Sequence, residues 1–290
     1  MLVMKAVILG AKGMLGRDLM SACARQGLEA VGMDLPEIDI ACSEDVSTKI
    51  PECDCVVNCA AYTRVDDAES DQEIANAVNC DGAGNIARVC ARRGVGLLHV
   101  STDYVFDGTL GRPYVEDDVP NPINVYGRSK LAGEKAVQSA TDKHLIIRTE
   151  SLFGIHGTNF VKTIMGRLEA KTDVVRVVND QTVAPTYTVH LANAILCLMN
   201  CDQHGIVHVC ASGCCTWFEF AEAIAEGVSA KGAIAPISSS ELAMAARRPA
   251  YSVLDMSRYS EWTGRTMPMW RVGLEEYLAE SSVGKGEDAS

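Results

Sequence analysis

The sequence predicts an α/β fold: a doubly wound parallel sheet with a smaller C-terminal lobe. Three observations carry that prediction. Short continuous Val/Ile/Leu runs alternate with helical patterns over the first half of the chain, and such runs mark strands buried on both faces of a parallel sheet. A glycine turn, GAKGMLG, follows the first run directly. Beyond about residue 155 the alternation loosens, and a second body of late segments is expected over the carboxyl edge of the sheet.

The elements follow in order. KAVILGA (5–11) predicts the first strand, and the amphipathic stretch 14–26 a helix. LEAVGMD (28–34) predicts the second strand, followed by a short helix near 44–49. CDCVVNCAA (53–61) precedes a long helical region, about 71–93. GVGLLHVSTDYVF (94–106) leads through a polar loop to a helix from Tyr126, and HLIIRTESLFG (144–154) is the next strand. VVRVVNDQTVAPT (174–186) reads as strand and loop. A helix near 188–200, a strand GIVHVCA (205–211) and a helix from Thr216 follow. Residues 237–255 form a long polar connection with basic residues, and the small polar tail 281–290 is expected to be flexible.

Composition narrows the function. A length of 290 fits one large domain with a smaller lobe. No apolar run reaches ~18 residues, so no transmembrane helix is expected. MLVMKAVILGAKG lacks a charged leader and reads as a first strand rather than a secretory signal. The net charge of −12 argues against nucleic acid or an anionic membrane as partner. An anionic ligand therefore needs a local basic pocket. Twelve cysteines include no C-x-x-C pair; they read as buried small thiols of a cytoplasmic protein. A metal cluster of Cys197, Cys201, Cys210, Cys214 and Cys215 is the alternative.

Gly10, Gly13 and Gly16 stand between the first strand and its helix. That spacing lets backbone N–H groups approach a pyrophosphate at a helix N-terminus; a plain strand-to-helix turn uses glycine in the same way. Asp34 ends the second strand, where an acidic residue accepts hydrogen bonds from an adenosine ribose. It favours NADH over NADPH, while Lys12 within the turn pulls the other way, and the choice stays open here. Asp39 and Ile40 fall where a third loop can meet adenine, or where an ordinary surface loop runs. In NCAAYT (58–63), small Ala60 and Ala61 leave room for a cofactor, or for tight helix packing. Residues 1–154 are thus expected to form a dinucleotide-binding Rossmann core, with 174–200 returning to it. Residues 155–280 are expected to form mainly a substrate lobe.

HVSTDYVFDG (99–108) brings Ser101, Thr102 and Asp103 to a strand's carboxyl end, where ligands bind in open α/β sheets. Hydroxyls there also cap turns. Tyr126 and Lys130 are i, i+4 neighbours on one helix face. A phenol of ordinary pKa near ~10 is a poor proton donor or acceptor at neutral pH. A nearby ammonium and an oxidised nicotinamide are expected to lower it. Thr102 is expected to steady the developing alkoxide.

On the segments GAKGMLG, NCAAYTRVDDAE, STDYVFDG, NVYGRSKLAGEK, NDQTVAPT and ARRPAYSVLD, the chain resembles the extended short-chain dehydrogenase/reductases. More narrowly, it resembles the dTDP-4-dehydrorhamnose reductase family. The resemblance spans about 1–280. It implies NADPH- or NADH-dependent reduction of the C4 ketone of a dTDP-4-keto sugar, with Thr102, Tyr126 and Lys130 as the catalytic trio. It implies cofactor contacts from Gly10, Lys12, Gly13, Met14, Leu15, Gly16, Asp34, Asp39, Ile40, Cys59, Ala60, Ala61 and Tyr62, besides Tyr126 and Lys130. Substrate contacts are implied for Ser101, Thr102, Asp103, Tyr104 and Val105, and for Arg247 and Arg248 in the late loop. Guanidinium groups suit a diphosphate on an acidic protein.

Two departures from the family pattern stand out. RTESLFG (148–154) has Ser151 where the family often has Trp, which leaves the exact sugar open. Val189 stands at one carboxylate position through which some relatives bridge a dimer by magnesium. No metal is therefore expected, and a homodimer is left open. Two other readings remain. A nucleotide-sugar epimerase or dehydratase has the same core, although a dehydratase wants an acidic pair and STDYVF offers Asp103 with no following Glu. A non-catalytic subunit resembling the methionine adenosyltransferase β subunit is the other.

Overall fold

β1 (Lys5–Leu9) buries Ala6, Val7, Ile8 and Leu9 completely, as a strand covered on both faces must. The computed structural model describes residues 4–170, 174–230 and 234–287. After β1 come α1 (Met14–Arg25), β2 (Glu29–Met33), α2 (Ser43–Lys49) and β3 (Cys55–Asn58). The long helical stretch consists of α3 (Gln72–Asn76), a π-helical turn (Ala77–Gly82) and α4 (Ala83–Arg93). β4 (Gly96–Thr102) passes through a 3₁₀ turn (Asp103–Val105) and a polar loop to α5 (Val125–Ala140). β5 (His144–Thr149) and β6 (Leu152–Phe153) end the first half. The second half holds α6 (Phe160–Ala170), β7 (Val175–Val178), β8 (Thr182–Val183), β9 (Thr186–Tyr187), α7 (Thr188–Met199) and β10 (Gly205–His208). It continues with β11 (Cys215–Thr216), α8 (Trp217–Gly227), β12 (Ile234–Ile237), α9 (Ser257–Thr263) and α10 (Trp270–Glu287).

The main sheet has the order β2-β1-β3-β4-β5-β10, and every neighbouring pair is parallel. The chain steps one way from β1 to β2 and the other way to β3. The switch point, and the crevice it opens, therefore lies at the carboxyl ends of β1 and β3. Alternate strand residues serve opposite faces. Ile8, Val57, Leu145, Ile147 and Val207 pack with Leu15 and Leu19 of α1 and Leu191, Ile195 and Leu198 of α7. Val7, Leu9, Val56, Leu97 and Ile146 pack with Val46 of α2, Ile86 and Ala87 of α4 and Val137 of α5. At about 1.5–3 kcal/mol for each large side chain fully buried, these two layers fix the sheet that carries the site.

Several late segments fall elsewhere than the sequence suggests. β10, expected in the lobe, completes the main sheet beside β5. β7, expected to return to the core, pairs with β12 instead, while α7 does pack on α1. The sequence pattern missed α6, β12, α9 and α10. α9 packs on β10 with Tyr259 in the core of the main sheet; the lobe built by α6, β12 and α10 is held by aromatic packing among Phe153, Tyr187, Phe220, Trp270 and Tyr277, which leaves only weak periodicity. α10 continues to Glu287, through most of the segment expected to be a flexible tail. Leu274 and Tyr277, buried in the lobe, anchor it against the low helix propensity of its glycines and serines; 288–290 lie outside the described residues. All twelve cysteines are free, and Cys23, Cys55, Cys90, Cys210 and Cys215 are buried. No helix among the described residues is long and apolar enough to cross a membrane.

Candidate active site

The glycine turn is built by contact rather than by flexibility alone. Gly10 adopts φ +79°, and a Cβ there would lie 2.6 Å from the Ala60 nitrogen. A Cβ on Gly16 would lie 2.1 Å from the Gly10 carbonyl oxygen. The backbone of the turn thus presses against residues 59–60 at the end of β3. Gly13 caps α1 with no side-chain cap bond, and the first turn carries no acidic residue. The N–H groups at this helix end point into the crevice with a partial positive charge. That cradle fits a dinucleotide diphosphate. Gly16→Ala is expected to weaken dinucleotide binding about tenfold or more, because an overpacked turn has to shift. Fluorescence titration checks this, and an unchanged dissociation constant would count against the cradle.

The other residues expected to touch a dinucleotide are spread unevenly. Asp34 accepts the backbone N–H groups of Lys12 and Leu35, each at 2.8 Å. Met14, Cys59, Ala60 and Ala61 are half-buried along the crevice. Asp39 is exposed and accepts the Ala41 N–H. Three of the residues have side chains engaged elsewhere. Leu15 lies in the core between α1 and α7, Ile40 packs under Gly82 in the opposite layer, and the Tyr62 hydroxyl donates to Asp71 at 2.8 Å.

α5 brings the acid–base group to the sheet edge. The Asn124 side chain caps the helix by accepting the Gly127 N–H at 2.7 Å. Gly127 has no room for a Cβ, which would sit 2.1 Å from the Tyr104 carbonyl oxygen. The first turn of α5 therefore lies directly on the turn that ends β4. As a result the Tyr126 hydroxyl meets the Thr102 hydroxyl, and the Tyr126 ring stands edge-on to Tyr104 at 5.8 Å. One turn on, the buried Lys130 ammonium donates to the Val100 carbonyl at 2.7 Å. Burial lowers Lys130 to about 8, while Glu134 and Cys59 pull it up. Cys59 joins α5 to the glycine turn: its thiol is pushed up to about 12 by burial, and Lys130 draws it down.

Burial is the largest influence on the Tyr126 phenol. Burial pushes the Tyr126 phenol up to about 12, against the Thr102 hydroxyl, which lowers it, and with Asp103, which raises it. Burial thus favours the neutral phenol. Thr102 carries one hydroxyl proton and meets two acceptors: it donates to Asp103 at 3.0 Å and also faces Tyr126. Asp103 is itself raised to about 6 by burial, with Ser252 and Thr102 pulling it back.

Two of the expected substrate contacts point elsewhere. Ser101 donates to Glu134 inside the protein, and Val105 is fully buried in a small cluster with Phe106 and Tyr114. The late loop does reach the site. Arg248 holds Asp66 at 2.6 Å and reaches the Tyr104 hydroxyl. Arg247 is exposed, and its carbonyl accepts from Asn124 at 2.8 Å.

Sequence reasoning missed the residues that hold these parts in place. Asn79, in the π-helical turn, pairs with the Tyr62 backbone and donates to Ser129 of α5 at 2.9 Å. The sequence reads 71–93 as one helical region, so the π-helical turn that carries Asn79 left no signal to find it by. Buried Glu150 accepts the N–H groups of Ala184 at 2.8 Å and Leu254 at 3.0 Å. It thereby ties the NDQTVAPT and ARRPAYSVLD segments to the end of β5. Burial and Asp103 hold its carboxyl well above the usual range. Ser151, beside it, sits in the left-handed region at φ +49°.

Comparison with known proteins identifies a family. Residues 4–283 match the model of the RmlD substrate binding domain. The chain is 39% identical to the spore coat polysaccharide biosynthesis protein SpsK of Bacillus subtilis, over 96% of this chain and 98% of that one. It is 39% identical to a dTDP-4-dehydrorhamnose reductase of Mycolicibacterium smegmatis, over 95% and 85%. The crystal structure of a dTDP-4-dehydrorhamnose reductase of Bacillus anthracis in complex with NADP superposes with a TM-score of 0.92 at 36% identity. That match covers 96% of this chain and 100% of the other.

Proposed function

The chain belongs to the RmlD substrate binding domain family, and from that premise we propose that it reduces the C4 ketone of dTDP-4-dehydro-L-rhamnose to dTDP-L-rhamnose with NADPH or NADH. The observation that carries the reading is the Thr102–Tyr126 contact, set beside Lys130 at the switch point of the sheet and next to the glycine cradle. A bound reduced nicotinamide supplies the hydride. Tyr126 supplies the proton: a phenol held protonated is in the form that a reduction consumes, and such a donor typically contributes ~10²–10⁴ in rate. As the phenol loses its proton, the Thr102 hydroxyl turns from Asp103 to the phenolate oxygen, the sense in which it already lowers the Tyr126 pKa. Lys130 keeps a positive charge behind the site. Arg247, exposed on the late loop, is the guanidinium free to meet the diphosphate, while Arg248 holds that loop to Asp66.

The direct test is the assay of the purified chain with dTDP-4-dehydro-L-rhamnose and each reduced nucleotide. Loss of reduced-nicotinamide absorbance with formation of dTDP-L-rhamnose is the expected outcome. No loss with either nucleotide defeats the proposal. Interconversion of sugars without net consumption of nucleotide selects the epimerase reading instead.

A further inference from the structure

We infer that Glu37 is a selectivity residue for the nucleotide: it answers the charge of the Lys12 ammonium at the adenosine-ribose corner of the crevice, so that the chain takes NADH in preference to NADPH. The inference rests on the reading that the glycine turn cradles a dinucleotide. Asp34 closes β2 beside that turn, where a carboxylate accepts from ribose hydroxyls. Its two oxygens already accept from the N–H groups of Lys12 and Leu35, which fixes the carboxylate at the mouth of the turn.

Lys12 is the cation of the glycine turn and the natural partner for a 2′-phosphate. Its ammonium is engaged by three acceptors on the following loop: the Leu35 carbonyl at 2.8 Å, Glu37 Oε2 at 2.8 Å and Glu37 Oε1 at 3.1 Å. Lys12 in turn draws Glu37 below the usual carboxylate range. The other cation at this corner is Arg17, and its Nε donates to the Lys12 carbonyl at 3.0 Å. A 2′-phosphate arriving here meets the carboxylates of Asp34 and Glu37 and a lysine whose charge is already answered. A ribose hydroxyl meets Asp34 with no such conflict. Because the Lys12 and Glu37 side chains are 52% and 57% exposed, solvent screens their bridge. The preference it sets is therefore modest, about fivefold, the upper end of what an exposed ion pair supplies.

The test is fluorescence titration of the full chain with NADH and with NADPH, in the absence of any sugar. The parent is expected to bind NADH more tightly. Glu37→Gln is expected to move the ratio of the two dissociation constants about fivefold toward NADPH, because it removes one repelling carboxylate and releases the ammonium. Adding Lys12→Ala to Glu37→Gln is expected to cancel that gain. A parent that prefers NADPH, or a ratio unchanged by Glu37→Gln, overturns the inference while leaving the proposed reduction intact. A parent that binds neither nucleotide overturns both.

Discussion

Tyr126→Phe is expected to lower turnover of the keto-sugar by about 10²–10⁴-fold while dinucleotide binding persists. The substitution removes one oxygen and little else. The ring keeps its edge contact with Tyr104, and α5 keeps its Asn124 cap and its close approach at Gly127. What disappears is the proton that burial holds on the phenol and the partner of the Thr102 hydroxyl. Steady-state rates and a nucleotide titration on the same preparation separate the two effects. A variant that turns over at the parent rate removes Tyr126 as the donor. One that no longer binds nucleotide shows that the ring matters for the crevice rather than for the chemistry.

Glu134→Ala is expected to destabilise the fold by about 3–5 kcal/mol, which in a chain of this size lowers the melting temperature by on the order of 10 °C. Arg148 donates to both Glu134 oxygens, at 2.9 and 2.7 Å. Ser101 donates to the same carboxylate. The side chains are 2% and 1% exposed, so removing the carboxylate leaves a guanidinium with no water to replace it. Replacing both partners with apolar residues, Glu134→Leu with Arg148→Met, should cost far less, because no uncompensated charge remains. Thermal unfolding of the single and double variants decides the matter. A single variant that melts with the parent would show the pair to be dispensable. The network also bears on the site: Glu134 lies one turn beyond Lys130 on α5 and holds the Lys130 ammonium up against burial.

The chemistry of the site was largely legible along the chain. Gly10, Asp34, Thr102, Tyr126 and Lys130 each stand at a strand end or a helix start, and those positions follow from local hydrophobic pattern. Residues whose importance comes from a partner far along the chain were not legible. Asn79 and Ser129 are 50 positions apart, Glu150 and Leu254 are 104 apart, and Arg248 and Asp66 are 182 apart. The pairings themselves leave no local mark, because a buried hydrogen bond is a property of two segments at once. The same reason hid the lobe helices, whose aromatic contacts are not periodic.

The amino-acid sequence by itself determined the parallel sheet, the glycine turn at its first strand and the pairing of a phenol with an amine on one helix face. All of these leave local marks in the chain, in apolar runs of strand length and in residue spacings of a few positions. Only the tertiary structure decided that the phenol is packed against the Thr102 hydroxyl, that Thr102 donates to Asp103, and that Glu37 pairs with the Lys12 ammonium. Those outcomes depend on burial and on charges brought together from separate segments, and neither exists until the chain has folded.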